Sequence, residues 1–288
     1  MVPALGCAPR LDAVTTTLPA TAIIGAGAMG GAILSGLLAP SVTVSGGIRV
    51  TNRTAAKAAL VDLDGVESIA LESEPGGNQR AVRGAGIVLL GVKPAMIVDT
   101  LRELAPALEP GALVISVAAG ITTAAMEAVV DNPVLRAMPN TPAIVGKAVT
   151  GVSAGSRATA EQLALGVALF ETVGTVLQIP EEQIDALSTV SGSGPAYVFY
   201  LVEEFTRTAV GLGFTPAQAA QLVQGTFAGS MDLLLASGAS PEALRAQVTS
   251  PKGTTERAVA VLQSAGLSEL FDRATAAALS RARELAAG

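Results

Sequence analysis

Near the start of the chain, Gly25-Ala26-Gly27-Ala28-Met29-Gly30 carries three glycines in G-x-G-x-x-G spacing. Ala22, Ile23 and Ile24 run into them as a short apolar strand, and Ala32, Ile33, Leu37 and Leu38 follow at helical intervals. In that setting the first glycine allows a tight turn, the second lets a pyrophosphate approach the backbone, and the third lets the helix lie close on the strand. The unpaired N–H groups at the helix start then face the phosphates. The glycine spacing alone is weak, and a ligand-free β-to-α turn has the same shape. The strand and helix flanks make it a dinucleotide-binding turn.

The choice of dinucleotide is read about twenty residues further on, where an Asp or Glu would hold an NAD ribose 2′-hydroxyl. The sequence there is Thr51-Asn52-Arg53-Thr54, without a carboxylate. The planar donor fork of Arg53 suits a 2′-phosphate, with the Asn52 amide and Thr54 hydroxyl beside it. The expected cofactor is NADPH/NADP+, with NADH used more weakly; a solvated arginine closing a strand is the plainer alternative. Val92-Lys93-Pro94 and Ala118-Ala119-Gly120 each end an apolar run, at the carboxyl edge where open α/β sheets bind ligands. Lys93 is a candidate for an anionic or polar part of the ligand, and the small residues 118–120 could admit a nicotinamide ring.

Two loops in the second half carry hydroxyls. Ser191-Gly192-Ser193-Gly194-Pro195-Ala196-Tyr197 reads as a donor-rich turn before a helix with proline in its first turn. Thr249-Ser250-Pro251-Lys252-Gly253-Thr254-Thr255 precedes a helix starting near Glu256, so hydroxyls and first-turn N–H groups could form a carboxylate-sized anion site. A capping box would use the same residue types without a ligand. The chain has no histidine, which removes the usual general acid-base residue, Ser-His pairings and the commonest metal ligand. Chemistry is left to a cofactor and to hydroxyls.

These groups need elements to place them. Short β-rich runs at 21–24, 48–51, 87–92, 113–117, 134–137, 149–153 and 176–179, with a weaker one at 66–69, alternate with Ala-rich or Gly/Pro segments. This rhythm predicts βαβ units around a parallel sheet. After Pro180, segments 195–211, 216–237, 251–265 and 267–286 read as helices with no convincing strand. The expectation is an α/β Rossmann-type domain over 20–180 and an all-α domain over 181–288, with residues 1–19 as a disordered or loosely attached leader. Leu222, Val223, Phe227, Met231, Leu233, Leu234 and Leu235 cover more than one face of their helix, which points to homo-oligomerisation.

Composition narrows the partners. With 18 Lys+Arg against 24 Asp+Glu and a net charge of -6, nucleic acid is not expected. Mean hydropathy is +0.53, yet no apolar run reaches the roughly 20 residues that span a bilayer, so no membrane partner is expected. The single Cys7 fits a reducing compartment, and the cytoplasm is the default.

Taken together, GAGAMGGAI, NRT, VLLGVKP, ISVAAGI, RAMPNTP, VSGSGPAY and VTSPKGTT resemble, in order and spacing, the motifs of pyrroline-5-carboxylate reductases over residues 21–285. The resemblance implies an NADPH-dependent reductase of a cyclic imine in the last step of proline biosynthesis. It also implies a helical C-terminal dimerisation domain and larger rings of dimers, up to a decamer. It matches Gly25 to Gly30, Asn52, Arg53, Asn78, Val92, Lys93, Pro94, Ala118, Ala119 and Gly120 to cofactor binding, and Ser250, Gly253, Thr254 and Thr255 to the substrate loop, with Thr255 catalytic. Three departures stand out: Ala28 where many members have Asn, Lys252 where many have Gly, and Gly86 in place of a common acid, the last expected to alter only a surface turn. Two rivals are a two-domain hydroxyacid dehydrogenase and a non-catalytic NADP-binding sensor. The first is expected to carry a helix-borne catalytic lysine, whereas beyond Lys147 this chain has only Lys252, in a loop.

Overall fold

The computed structural model describes residues 15–287. Cys7 and the first part of the expected leader lie outside them. The described chain forms two compact units, divided between Gly192 and Ser193, with the second running to Arg281.

The first unit is built on eight strands: β1 (Thr16–Ile24), β2 (Val42–Asn52), β3 (Val66–Ala70), β4 (Ile87–Leu90), β5 (Leu113–Ser116), β6 (Val134–Met138), β7 (Ala148–Ala154) and β8 (Gly174–Gln178). They form one sheet in the order β3-β2-β1-β4-β5-β6-β7-β8. Helices α1 (Ala28–Leu37), α2 (Ala55–Ala59), α3 (Gly77–Val82), α4 (Ile97–Leu104), α5 (Thr123–Glu127) and α6 (Ala160–Glu171) connect them. Each central strand is buried on both faces, so its sequence reads as a continuous apolar run. On one face Ile23, Leu89, Ile115 and Leu135 pack with Ile33, Leu34 and Leu37 of α1 and Leu169 and Phe170 of α6. On the other, Ala22, Ile24, Val88, Leu90 and Val114 pack with Ala81, Val82, Ile97, Leu101 and Met126.

Three features depart from the expectation. β6 and β7 pair antiparallel, so the sheet is parallel-dominated and not parallel throughout. β1 starts at Thr16, which puts residues 16–19 of the expected leader in the sheet. Pro19 is tolerated there because it lies where the β1–β2 register shifts, before Thr21, an irregularity at which a proline's missing donor breaks no regular ladder. Gly86 belongs to this arrangement: a Cβ at Gly86 would sit 2.8 Å from the Pro19 Cβ, so the residue does more than shape a surface turn.

Residues 181–192 lie in the first unit. Arg136 of β6 is buried and bonds Asp185 at 2.5 Å, with Glu181 at 3.6 Å. Glu181 also accepts from the Thr123 backbone N–H and hydroxyl. After α7 (Ile184–Leu187), residues Ser188–Gly192 form a π-helical turn that takes in Ser191 and Gly192, the first two residues of the expected donor-rich turn. Asn140 fastens that turn, donating to the Ser191 carbonyl at 3.0 Å while accepting from the Val149 N–H at 2.9 Å.

The second unit is helical: α8 (Gly194–Gly211), α9 (Pro216–Ser237), α10 (Pro241–Gln247), α11 (Thr254–Ser264) and α12 (Leu267–Ala287). Proline opens α8 as expected, and α9 starts in a Thr215/Gln218 capping box and stops at Gly238 in the left-handed region. Helix α10, capped by Ser240, was not expected. The unit's own apolar core is small, with Ala209, Ala219 and Val223 buried and Val202 and Phe227 packed against them. Phe199, Phe205, Leu222, Met231, Leu233 and Leu235 are exposed. No helix among the described residues is long and apolar enough to cross a membrane.

Candidate functional site

The sheet order reverses between β1 and β4, and ligands of open α/β sheets bind outside the carboxyl ends of strands at such a point. The phosphate turn follows β1 there. Gly25 has φ +88°, a conformation L side chains rarely adopt, and its Cβ would meet Val92 Cγ1 at 3.0 Å. The Gly25 and Ala26 N–H groups both donate to the Thr51 carbonyl, fastening the turn to β2. A Cβ at Gly30 would sit 2.8 Å from the Gly25 carbonyl oxygen, so that glycine permits close helix-on-strand packing. Gly27 differs: a Cβ there would meet no protein atom within 4 Å. That side is open, as a phosphate approach requires. Helix α1 has no side-chain cap and no acid in its first turn, so the N–H groups around Ala28, Met29 and Gly30 have no competing anion from their own helix.

Parallel register brings the other expected cofactor residues to the same edge: Ile24 lies opposite Thr51 and Leu90, and Leu90 opposite Ser116. Asn52 therefore ends β2 beside Arg53. Val92, Lys93 and Pro94 follow β4, with Lys93 exposed before a short 3₁₀ turn. Ala118, Ala119 and Gly120 follow β5, with Gly120 at φ +75°. Asn78 lies in the first turn of α3 and donates to Glu103 at 3.3 Å.

Three buried polar atoms at this edge have no hydrogen-bond partner among the described residues: Thr51 Oγ1, Asn52 Nδ2 and Asn78 Oδ1. Buried polar groups are rarely left so without a ligand or water. The side chain of Arg53 is exposed and makes no hydrogen bond or ion pair among the described residues. Arg80, by contrast, is held by Glu74 and Glu67, and hydrogen bonding to Glu74 keeps its guanidinium pKa above the usual arginine value. Thr54 caps α2 through its hydroxyl oxygen and retains a proton to donate. The free glycine face, the unpartnered amide and the uncommitted guanidinium fit a phosphorylated dinucleotide.

Sequence reasoning missed Gly91, whose Cβ would lie 2.4 Å from the Gly25 carbonyl oxygen; without that glycine the turn and the end of β4 could not approach. It also missed Thr51, whose carbonyl anchors the turn. The glycine inside VLLGVKP was a visible signal; the role of Thr51 depends on strand pairing and had none.

In the second unit, the loop before α11 sorts its own hydroxyls. Thr249 donates to the Arg245 carbonyl at 2.6 Å, a bond within the α10 turn. Ser250, Thr254 and Thr255 are exposed and make no side-chain hydrogen bond among the described residues. The Gly253 N–H donates to the Ser250 carbonyl at 3.0 Å and is unavailable to a ligand. Gly253 matters instead for what it lacks: a Cβ would lie 2.5 Å from Ser250 Oγ. The helix has no hydroxyl cap; the Glu256 carboxylate reaches back past the Gly253 N-cap to the Lys252 N–H at 2.9 Å. Lys252 has φ +64°, the one non-glycine residue at positive φ among the described residues, a conformation that glycine adopts without the steric cost of a Cβ.

The doubly wound sheet and its phosphate turn define an oxidoreductase of the NAD(P)H class. A family model described as NADP oxidoreductase, coenzyme F420-dependent, matches residues 20–120, and one described as pyrroline-5-carboxylate reductase dimerisation matches residues 181–285. A pyrroline-5-carboxylate reductase from Corynebacterium melassecola is 40% identical over 270 residues, covering 92% of this chain and 97% of that protein. The structure of a pyrroline-5-carboxylate reductase from Coxiella burnetii is 36% identical with a TM-score of 0.83, covering 92% and 97% of the two chains. A Plasmodium falciparum pyrroline carboxylate reductase with NADP bound, 22% identical with a TM-score of 0.77 over 92% and 97%, shares the fold. The chain belongs to the pyrroline-5-carboxylate reductase family.

Proposed function

We propose that this chain reduces 1-pyrroline-5-carboxylate to L-proline with NADPH, using Ser250, Gly253, Thr254 and Thr255 as its substrate loop and Thr255 as the catalytic hydroxyl. The observation that carries the residue assignment is the sorting of hydroxyls: Thr249 is committed to its own backbone, whereas Ser250, Thr254 and Thr255 are not. Bound NADPH supplies the hydride that adds to C5 of the imine. The chain's part is positioning, which contributes roughly 7 to 11 kcal/mol in well-aligned reactions. The Ser250 hydroxyl and the first-turn N–H groups of Thr254 and Thr255 hold the substrate carboxylate. The Thr255 hydroxyl accepts from the protonated imine nitrogen, keeping that proton where it makes C5 electrophilic. No histidine is required, because an imine that protonates readily needs no base, unlike an alcohol being oxidised.

Gly25 to Gly30 receive the pyrophosphate, and Asn52, Arg53 and Thr54 receive the 2′-phosphate. Lys93 and the backbone of 92–94 and 118–120 line the nicotinamide end, and Asn78 lies at the same sheet edge. NADH serves more weakly. The exposed apolar residues of α8 and α9 support a homodimer, from which rings of dimers up to a decamer assemble; light scattering on the purified chain reads this mass. The single cysteine favours a cytoplasmic location.

NADPH oxidation with pyrroline-5-carboxylate, beside 2-hydroxy and 3-hydroxy acids with NADP+, tests the reaction. Turnover of the imine alone is expected, and turnover of a hydroxy acid alone would reject it.

A further inference from the structure

The end of β2 lacks a carboxylate of its own, and one stands beside it just beyond β3. Beyond β3, the Leu71 N–H donates to the Asn52 carbonyl at 2.9 Å and the Glu72 N–H to the Arg53 carbonyl at 3.1 Å, so this turn runs alongside residues 52–55. Glu72 then places its side chain back across that segment, its Oε1 accepting from the Ala55 N–H at 2.6 Å. The nearby acids Glu67 and Glu74 are both held by Arg80. Among the described residues Glu72 has no cationic partner, and Arg53, one strand away, has no anionic one.

We propose that Glu72 is a specificity-determining residue for the adenosine end of the cofactor. Its carboxylate accepts from a ribose 2′-hydroxyl and opposes a 2′-phosphate, narrowing the preference for NADP(H) over NAD(H) that Arg53 and Asn52 set. This rests on the dinucleotide site described above. Two features give the arrangement its effect. A phosphate monoester carries close to two negative charges at neutral pH, so a neighbouring carboxylate repels it, whereas toward the unphosphorylated cofactor the same carboxylate is only a hydrogen-bond acceptor. The carboxylate is also pinned by a backbone N–H, so it cannot simply swing into solvent without giving up a charge-assisted hydrogen bond.

The test is Glu72→Gln, which keeps an oxygen for the Ala55 N–H and removes the charge. Calorimetric titration of the full-length wild type and variant with NADP+ and NAD+, and with 2′,5′-ADP and 5′-AMP, reads binding without turnover. NADP+ and 2′,5′-ADP should bind Glu72→Gln about fivefold to tenfold more tightly at low ionic strength, and high salt should shrink that gain. NAD+ and 5′-AMP should bind equally or more weakly, so that the ratio widens. An unchanged or narrower ratio overturns the proposal. Arg53→Ala separates the two layers: it should weaken NADP+ roughly tenfold or more and spare NAD+. If Arg53→Ala leaves both affinities unchanged, the site itself is wrongly placed and the proposal falls with it. Should Glu72→Gln fold poorly, Glu72→Ala carries the same expectation for the ratio of the two ligands.

Discussion

The two units of this chain solve the problem of burial differently. In the first, both faces of the sheet are covered by its own helices, and residues such as Ile23, Leu89, Val114 and Phe170 are wholly inside. In the second, α8 and α9 enclose Ala209, Ala219 and Val223 and leave Phe199, Phe205, Met231, Leu233 and Leu235 to solvent. A unit that exposes aromatic and aliphatic side chains over successive helical turns completes its core with another surface. The family model for dimerisation covers this same stretch. The sheet unit is thus self-sufficient in its packing, and the helical unit leaves apolar surface for a second copy to cover.

Substitutions should break along that line. Gly27→Val adds a side chain where the protein leaves open space, so melting temperature should hold while NADP+ affinity falls on the order of 100-fold, the loss of about two hydrogen bonds to a charged group. Calorimetry and thermal scanning on one sample read both. Thr255→Val should lower kcat about 10- to 100-fold with NADPH affinity unchanged, and Thr249→Val should lower stability more than kcat. An unchanged kcat with a raised KM would reassign Thr255 to ground-state binding.

Leu233→Asp tests the dependence on a second copy. Placing a charge on an exposed apolar residue of α9 should yield monomers by light scattering and a melting temperature lower by roughly 10 °C, for about 2 to 4 kcal/mol of lost interface. Ile23→Ala should cost about as much, roughly 2 to 5 kcal/mol, with the oligomer intact. The smallest effect belongs to Lys252→Gly. Relief of a left-handed lysine should raise the melting temperature by roughly 2 to 4 °C, for about 1 kcal/mol.

The same division governs what the sequence reveals. Gly25, Gly27 and Gly30 were legible because a positive φ, an open face and a close approach are each local demands that glycine meets. All eight strands were visible as β-rich runs, most plainly the central β4, β5 and β6, where burial on both faces leaves a continuous apolar mark. The direction of β7 was missed although nine residues, 139–147, separate β6 from β7, fewer than the dozen or more a parallel crossover needs. The start of β1 was hidden by Pro19, which argues against a strand until the register shift in its pairing with β2 is known. Glu72 left no signal at all. It reaches Ala55 only through β2–β3 pairing, and its neighbours Glu67 and Glu74 look the same in the sequence while serving Arg80. At the substrate loop, TSPKGTT was legible as a set, but which hydroxyls are free depended on the Thr249 bond back to Arg245.

The central claim is that the dinucleotide site and the hydroxyl loop serve one reaction, hydride delivery to a cyclic imine carbon. NADPH deuterated at C4 on the transferred position, incubated with 1-pyrroline-5-carboxylate and the enzyme, reads it by mass spectrometry and NMR of the product. The account predicts proline carrying one deuterium at C5, formed about 10- to 100-fold more slowly with Thr255→Val. Unlabelled proline, or label at any other carbon, would contradict it.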